Sequence, residues 1–176
     1  MPKYNLAVCA NSTVPNTNKE IFLYLPALKN AIQNLEEKRF YDIALMYLSV
    51  LGYKDLSMVD GAGDGGRDVI CSRNDLRIQL SVRKDWQQKI NEEAHNTKKS
   101  GHSHLIYITN KIISPDAEQD FLQSGYRYKG EVDPSIHDLK RIVTALARPG
   151  VIRRAYELLG MAVPSTLEAS PNDIAL

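Results

Sequence analysis

The sequence has little that would suit a secreted, disulfide-bonded or membrane-spanning protein. Its 176 residues include only two cysteines, Cys9 and Cys71. These have no CxxC spacing and no secretory signal precedes them, so we expect a reducing, cytoplasmic location. No apolar run approaches the roughly 20 residues of a membrane-spanning helix, so we expect no membrane partner. The formal net charge is +1, so a basic surface has to come from local clustering of lysines and arginines.

The remaining composition is that of a globular domain. Hydrophobic residues make up 43% of the chain and charged residues 24%, enough for one domain with a sizeable core. We expect an irregular N-terminal arm over 1–18, a folded domain over 19–162 and a linker-like tail over 163–176. The tail is rich in proline, serine and asparagine, as expected for a domain within a longer chain.

Helical patterns dominate the first third of the chain. The stretch "NKEIFLYLPALKNAIQNLEEK" predicts a helix with a break or kink at Pro26. In "RFYDIALMYLSVLGY" apolar residues recur at helical spacing, and Gly52 is placed to end the helix. The apolar positions of this amphipathic helix are Phe40, Ile43, Ala44, Tyr47, Leu48 and Leu51.

The period then changes to that of β-strands. Residues 55–60, 67–72 and 76–83 predict three short strands in a meander, followed by a helix with Asp85 as its N-cap. Residues 102–110 predict a buried parallel strand. A further helix starts with Ser114 as N-cap, and two last helices within 133–161 are split at 148–150. The fold class is therefore α/β, with helices flanking a mixed sheet.

The glycine-rich stretch "GAGDGGRDVICS" allows several interpretations. Gly61, Gly63 and Gly66 match GxGxxG, but a dinucleotide site needs a helix after the glycines and a strand is predicted here. No Lys-Ser/Thr pair ends the glycines, so a P-loop is also disfavoured. A plain connection between strands and a turn that carries metal ligands both remain open.

Oxygen ligands on neighbouring strands favour the metal site. Asp68 enters the second strand and Gln79 lies on the third, so one sheet edge can bring both together for Mg²⁺. Alternation along the third strand places Arg77, Gln79, Ser81 and Arg83 on one polar face. Such a face suits a phosphate; alternatively, it is the solvent side of an edge strand.

The stretch "LGYKDLSMVDGAGDGGRDVI", followed by "RIQLSVRKDW", resembles the Mrr-type branch of the PD-(D/E)xK nuclease superfamily. The resemblance covers roughly 38–125. It implies a restriction-endonuclease-like core of a helix, a three-stranded meander, a helix and a strand. It also implies metal-dependent cleavage of DNA with Mg²⁺, for which Mn²⁺ can substitute. By position, Asp68 would be the principal metal ligand, Gln79 would occupy the Glu/Gln position, and Asp64 in the turn would be a weaker ligand.

One departure from the family pattern concerns the catalytic lysine. Ser81 stands at its position, and a hydroxyl cannot supply the cation that stabilises the transition state. Lys84 and Arg83 lie close by in the sequence, but Arg83 is too strongly protonated to act as a base. Lys89 is the preferred substitute, because it shares one stripe of the next helix with Trp86, Ile90, Glu93 and Ala94 and so borders the sheet.

A second departure lies on the first core helix. The family often has a glutamate beside the aromatic residue that matches Phe40, and Tyr41 stands there instead. Asp42 and Glu37 are alternatives, although a solvated acidic helix face explains these two residues better than a role in the site does. The two departures support a second hypothesis: a catalytically inactive nuclease fold that binds nucleic acid or a protein partner.

Clustered basic residues and the C-terminal tail indicate which partners the protein binds. Lys98, Lys99, Arg127 and Lys129 are candidates for contacts with the DNA backbone. Cutting both strands needs two sites, so we expect a homodimer or higher oligomer when the protein is active. The resemblance also implies a role in bacterial restriction or antiphage defence, with a C-terminal regulatory domain in a longer chain.

Overall fold

The computed structural model of the protein describes residues 17–59, 69–73 and 75–167. Within these ranges, five strands form one mixed sheet with six α-helices around it, which confirms the α/β fold class. The strands are β1 (Ser57–Met58), β2 (Val69–Ile70), β3 (Leu76–Ser81), β4 (His104–Thr109) and β5 (Asp133–His137). The helices are α1 (Thr17–Gln33), α2 (Glu37–Val50), α3 (Trp86–Lys99), α4 (Pro115–Asp120), α5 (Leu139–Leu146) and α6 (Ile152–Leu158).

The sheet has the strand order β1-β2-β3-β4-β5. Its first three strands are antiparallel, with Val69 opposite Ile78, so the predicted meander is confirmed. β4 lies parallel to β3 and β5 lies parallel to β4. Since parallel neighbours need a crossover, α3 runs back along the sheet between β3 and β4. The expected core order of helix, three strands, helix and strand is present.

The fifth strand was not predicted from the sequence. Residues 133–137 were expected to open a helix, yet they form β5 at the parallel edge of the sheet. Pro134 lacks a backbone N–H and therefore argues against a strand, but an edge strand tolerates proline because one side of its backbone has no partner strand. Asp138 then caps α5, its side chain accepting a hydrogen bond from the Arg141 N–H.

The first two helices depart slightly from prediction. α1 begins at Thr17, inside the expected arm, and is continuous through Pro26, so of the break or kink predicted at that proline the break is wrong. The interruption lies instead between α1 and α2, at residues 34–36. Residues 1–16 and 168–176 lie outside the described ranges, while Val163 and Leu167 of the expected tail pack against the core.

α2 buries the predicted stripe and ends as expected. Leu51 is the exception, because it follows the last helical residue and is 39% exposed. Gly52 has a φ of 91°, a left-handed conformation that favours glycine. Its N–H bonds to the Ser49 carbonyl and the Tyr53 N–H bonds to the Leu48 carbonyl, a Schellman motif. The buried members of the stripe are Phe40, Ile43, Ala44, Tyr47 and Leu48.

Two hydrophobic clusters cover the two faces of the sheet. The larger contains Ile78 and Leu80 of β3 together with buried residues of α1, α2, α5 and α6. The smaller contains Leu105 and Tyr107 of β4 and Ile90 of α3. We call the sheet face that carries the smaller cluster the α3 face. The odd-numbered residues of β3 lie on this face, because Ile78 and Leu80 lie on the other. Among the described helices, none is long and apolar enough to span a bilayer.

Candidate active site

Three polar side chains follow one another along the α3 face of β3. Arg77 is 0% exposed, Gln79 5% and Ser81 3%, and we call these residues the polar row. β3 lies between β2 and β4, so the interpretation of Gln79 as the solvent side of an edge strand is wrong. The polar row is an interior feature, and buried polar groups need partners because desolvating them costs free energy.

Glu93 of α3 connects the polar row to Lys89. The Arg77 Nη2 atom lies 3.2 Å from Glu93 Oε2, and the Lys89 Nζ atom lies 2.6 Å from Glu93 Oε1. The Arg77 side chain is 0% exposed, the Glu93 side chain 5% and the Lys89 side chain 19%. Each carboxylate oxygen therefore has its own cation, in a setting where solvent screens little.

The direction of α3 sets the position of Lys89 along the axis of β3. Lys89 precedes Glu93 by one helical turn, about 6 Å along the axis. Gln79 follows Arg77 by two strand residues, about 6.6 Å. From these spacings and from the contact of Glu93 with Arg77, we infer that Lys89 lies near Gln79 along the direction of β3.

The polar row ends at Ser81, earlier than predicted. β3 stops there, so Arg83 does not share the strand face expected for it. The Ser81 Oγ atom instead accepts a hydrogen bond from the Arg83 N–H at 3.2 Å. The Arg83 guanidinium pairs with Asp85 and, at 3.1 Å, with Glu92. The hydrogen bond with Asp85 raises the pKa of Arg83 and lowers that of Asp85. Asp85 occupies the N-cap position of α3 as predicted, but its side chain makes no capping hydrogen bond.

Two further lysines lie beyond the carboxyl ends of β3 and β4. Lys84 is exposed, while Lys111 is partly buried. Burial lowers the pKa of Lys111, and the nearby Lys84 ammonium lowers it further. Two lysine ammonium groups therefore lie close enough at this edge of the sheet to influence each other.

The two predicted aspartate ligands, Asp64 and Asp68, lie outside the described residues. In the described part of the chain, no group of three or more His, Cys, Asp and Glu residues is placed to hold a metal ion. Gln79 supplies an amide oxygen, and the polar row contains no cysteine or histidine. These donors fit a hard cation such as Mg²⁺ and not a zinc site.

On the first core helix, the Tyr41 hydroxyl donates a hydrogen bond to Glu37 Oε1 at 2.7 Å. Asp42 is exposed on another side of the helix. Glu37 is therefore occupied by a local contact one helical turn away, which is the ordinary behaviour of an exposed helix face.

The basic residues predicted to contact DNA fall into two groups, those that are paired and those that are exposed. Lys98 pairs with Glu131, and the Lys129 ammonium donates to the Gln123 carbonyl. Lys99 and Arg127 are exposed, at the end of α3 and in the loop before β5. Tyr126, which precedes Arg127, is buried and donates its hydroxyl to the Val132 carbonyl at 2.8 Å.

Sequence reasoning placed Glu93 on the stripe that faces the sheet but gave it no role in the site. The signal was the spacing of Lys89 and Glu93, since residues four apart in a helix are neighbours. What the spacing did not show was the third member, Arg77, which lies on a strand sixteen residues away.

Comparison with known families finds a restriction endonuclease domain in this chain. The family model Mrr_cat, described as a restriction endonuclease, matches residues 32–127, which is more than half of the chain. The matched range begins at the end of α1 and contains the meander, α3 and β4. No curated protein matches the sequence. The chain belongs to the Mrr-type restriction endonuclease family of PD-(D/E)xK nucleases.

Proposed function

We propose that this domain is a Mg²⁺-dependent DNA endonuclease that hydrolyses phosphodiester bonds. The observation that carries the proposal is the buried polar row of β3, in contact through Arg77 with the Glu93–Lys89 pair of α3. The family is typically metal-dependent, and a nuclease domain implies a DNA substrate. Mn²⁺ should substitute for Mg²⁺, because both accept oxygen ligands.

Asp68 is the proposed principal ligand. Val69 pairs with Ile78 in antiparallel register. Asp68 directly precedes Val69 in the sequence, and Gln79 directly follows Ile78, the partner of Val69, so we propose that Asp68 and Gln79 bind the same ion. Asp64 would be an auxiliary ligand from the turn.

The proposed roles follow from the donor types. A bound Mg²⁺ would lower the pKa of a coordinated water and neutralise charge on the scissile phosphate. Asp68 and the Gln79 amide oxygen would hold the ion. The Lys89 ammonium would orient the attacking water and stabilise the developing negative charge, in place of the lysine absent at Ser81. Lys84 is the alternative cation, beyond the carboxyl end of β3.

Plasmid cleavage tests the proposal. Supercoiled plasmid incubated with the protein and Mg²⁺ or Mn²⁺ should be nicked and then linearised, and chelation should stop the reaction. Asp68→Asn should abolish cleavage, whereas Asp116→Asn, an exposed aspartate in the first turn of α4, should not. Equal cleavage by Asp68→Asn and the unmodified protein would reject the site.

The assembly and biological setting are part of the same proposal. Cleavage of both DNA strands needs two sites, so we propose a homodimer or higher oligomer as the active form. We further propose a role in restriction or antiphage defence, with a regulatory domain following the tail. Light scattering during the reaction and the sequence of the full gene test these two points.

Ser81 supports a second candidate function. Its hydroxyl occupies the position of the family lysine and is used in a local hydrogen bond to the Arg83 N–H. A domain without a working cation would bind nucleic acid or a protein partner and would not cut. Retained DNA binding with no cleavage under any divalent metal favours this candidate over the nuclease.

A further inference from the structure

The contact between Glu93 and Lys89 differs from an ordinary surface ion pair. Arg153 and Glu157 of α6 form an ion pair at the same helical spacing, and both of their side chains are about half exposed. In the pair on α3, by contrast, the Glu93 side chain is only 5% exposed and the Lys89 side chain 19%. Solvent screening is weaker at such a site, so the carboxylate restricts the ammonium more strongly.

Glu93 is itself held in place from several sides. Its Oε2 atom accepts a hydrogen bond from Arg77 at 3.2 Å and lies 3.4 Å from Asn96 Nδ2. The backbone carbonyl of Glu93 accepts a hydrogen bond from the Thr97 hydroxyl at 2.6 Å. The Oε1 atom bonds to Lys89 Nζ, so a fixed carboxylate presents this oxygen to a long and otherwise flexible side chain.

We propose that Glu93 is a positioning residue for Lys89: it holds the Lys89 ammonium level with Gln79. The proposal rests on the proposed nuclease function and deepens it, because it explains how a lysine on a helix replaces one on the strand. Lysine on a strand is oriented by the sheet, whereas lysine on a helix reaches the same place on a flexible stem. A buried carboxylate one turn away restores that orientation.

The first test does not depend on cleavage. A lysine ammonium held in a buried ion pair exchanges its protons slowly enough to be observed by ¹H–¹⁵N NMR of the whole domain. The Lys89 signal is identified by its loss in Lys89→Met. It should disappear in Glu93→Gln and persist in Glu157→Gln, which removes the carboxylate of the matched exposed pair on α6. A Lys89 signal that is unchanged in Glu93→Gln overturns the proposal.

The second test distinguishes two roles of Glu93: positioning the Lys89 ammonium and neutralising the buried Arg77 guanidinium. Glu93→Gln alone leaves Arg77 without this carboxylate and risks unfolding. We therefore compare Arg77→Met with Arg77→Met/Glu93→Gln, in which Glu93 has no guanidinium to neutralise. The double variant should have a kcat lower by about tenfold or more, with KM for DNA within about twofold. Equal kcat in the two variants would show that Glu93 serves only Arg77 and would refute the proposal.

The two proposals fail in distinguishable ways. If the unmodified protein cuts no DNA with any divalent metal, the nuclease function fails, while the ammonium signal still decides whether Glu93 holds Lys89. If cleavage is present and the signal is unchanged in Glu93→Gln, the nuclease stands and the role of Glu93 does not.

Discussion

Val69 of β2 pairs with Ile78 of β3 in antiparallel register, and both side chains lie in the larger hydrophobic cluster. Their apolar contact fixes which residues face away from that cluster. Arg77 and Gln79 consequently lie on the α3 face, where Glu93 pairs with both Arg77 and Lys89. The packing of two aliphatic side chains thus determines the side of the sheet on which the proposed chemistry takes place.

The kind of ligand atom at position 79 should affect cleavage more than the size of the side chain does. Gln79→Glu keeps an oxygen donor and should retain cleavage with a lower Mg²⁺ requirement, because a carboxylate binds the ion more strongly than an amide. Gln79→Leu should lose at least about 100-fold in rate. Mg²⁺ titration of plasmid cleavage measures both effects. Full activity of Gln79→Leu would remove this residue from the site.

Lys89 should be the working cation. Lys89→Met should slow cleavage by about 100-fold or more, with a smaller effect of Lys84→Met. Ser81→Lys should then restore part of the rate in the Lys89→Met background, since it returns a lysine to the family position. Single-turnover cleavage rates check the series, and a Lys84→Met variant slower than Lys89→Met would reverse the assignment.

Exposed cations near α3 should contribute to DNA affinity. Lys99→Glu and Arg127→Glu should each weaken binding and reduce the slope of log affinity against log salt by about one unit for each phosphate that the variant no longer neutralises. Lys38→Glu, on α2 at the other face of the sheet, is the matched control. Fluorescence anisotropy with a labelled duplex at several salt concentrations measures the slopes, and equal slopes in all variants would argue against these two cations as DNA ligands.

His137 should make stability depend on pH. Its ring bonds to the Tyr47 hydroxyl at 2.8 Å and to Ser135 at 2.9 Å, and Asp138 and Arg141 lie nearby. Burial, together with the Arg141 charge, lowers the pKa of His137 from 6.5 to about 4.

Between these two pH values the unfolded chain binds a proton that the folded protein does not. The free energy of unfolding should therefore fall as pH drops from about 6.5 to 4, by up to about 3 kcal/mol. Urea unfolding at several pH values measures this fall, which should be smaller in His137→Gln. An identical pH dependence in the two proteins would contradict the assignment to His137.

Much of this protein is determined by local sequence. The stripe of α2 apart from Leu51, the end of that helix at Gly52 and the Ser114 cap of α4 depend on spacings within a few residues, and each was predicted. Strand alternation likewise predicted that Arg77, Gln79 and Ser81 share one face. Such patterns are readable because one turn of helix or one strand pleat contains the whole interaction.

Only the tertiary structure decided which of these segments come into contact with one another. It made Pro134 part of an edge strand, removed Arg83 from the polar row and brought Arg77 to Glu93 across a strand and a helix. These outcomes depend on burial and on pairing between distant segments, which no local spacing records. The sequence by itself determined the family and predicted Asp68, Gln79 and Lys89 as site residues. The packing of α3 on β3 decided that a buried carboxylate, Glu93, pairs with both Arg77 and Lys89.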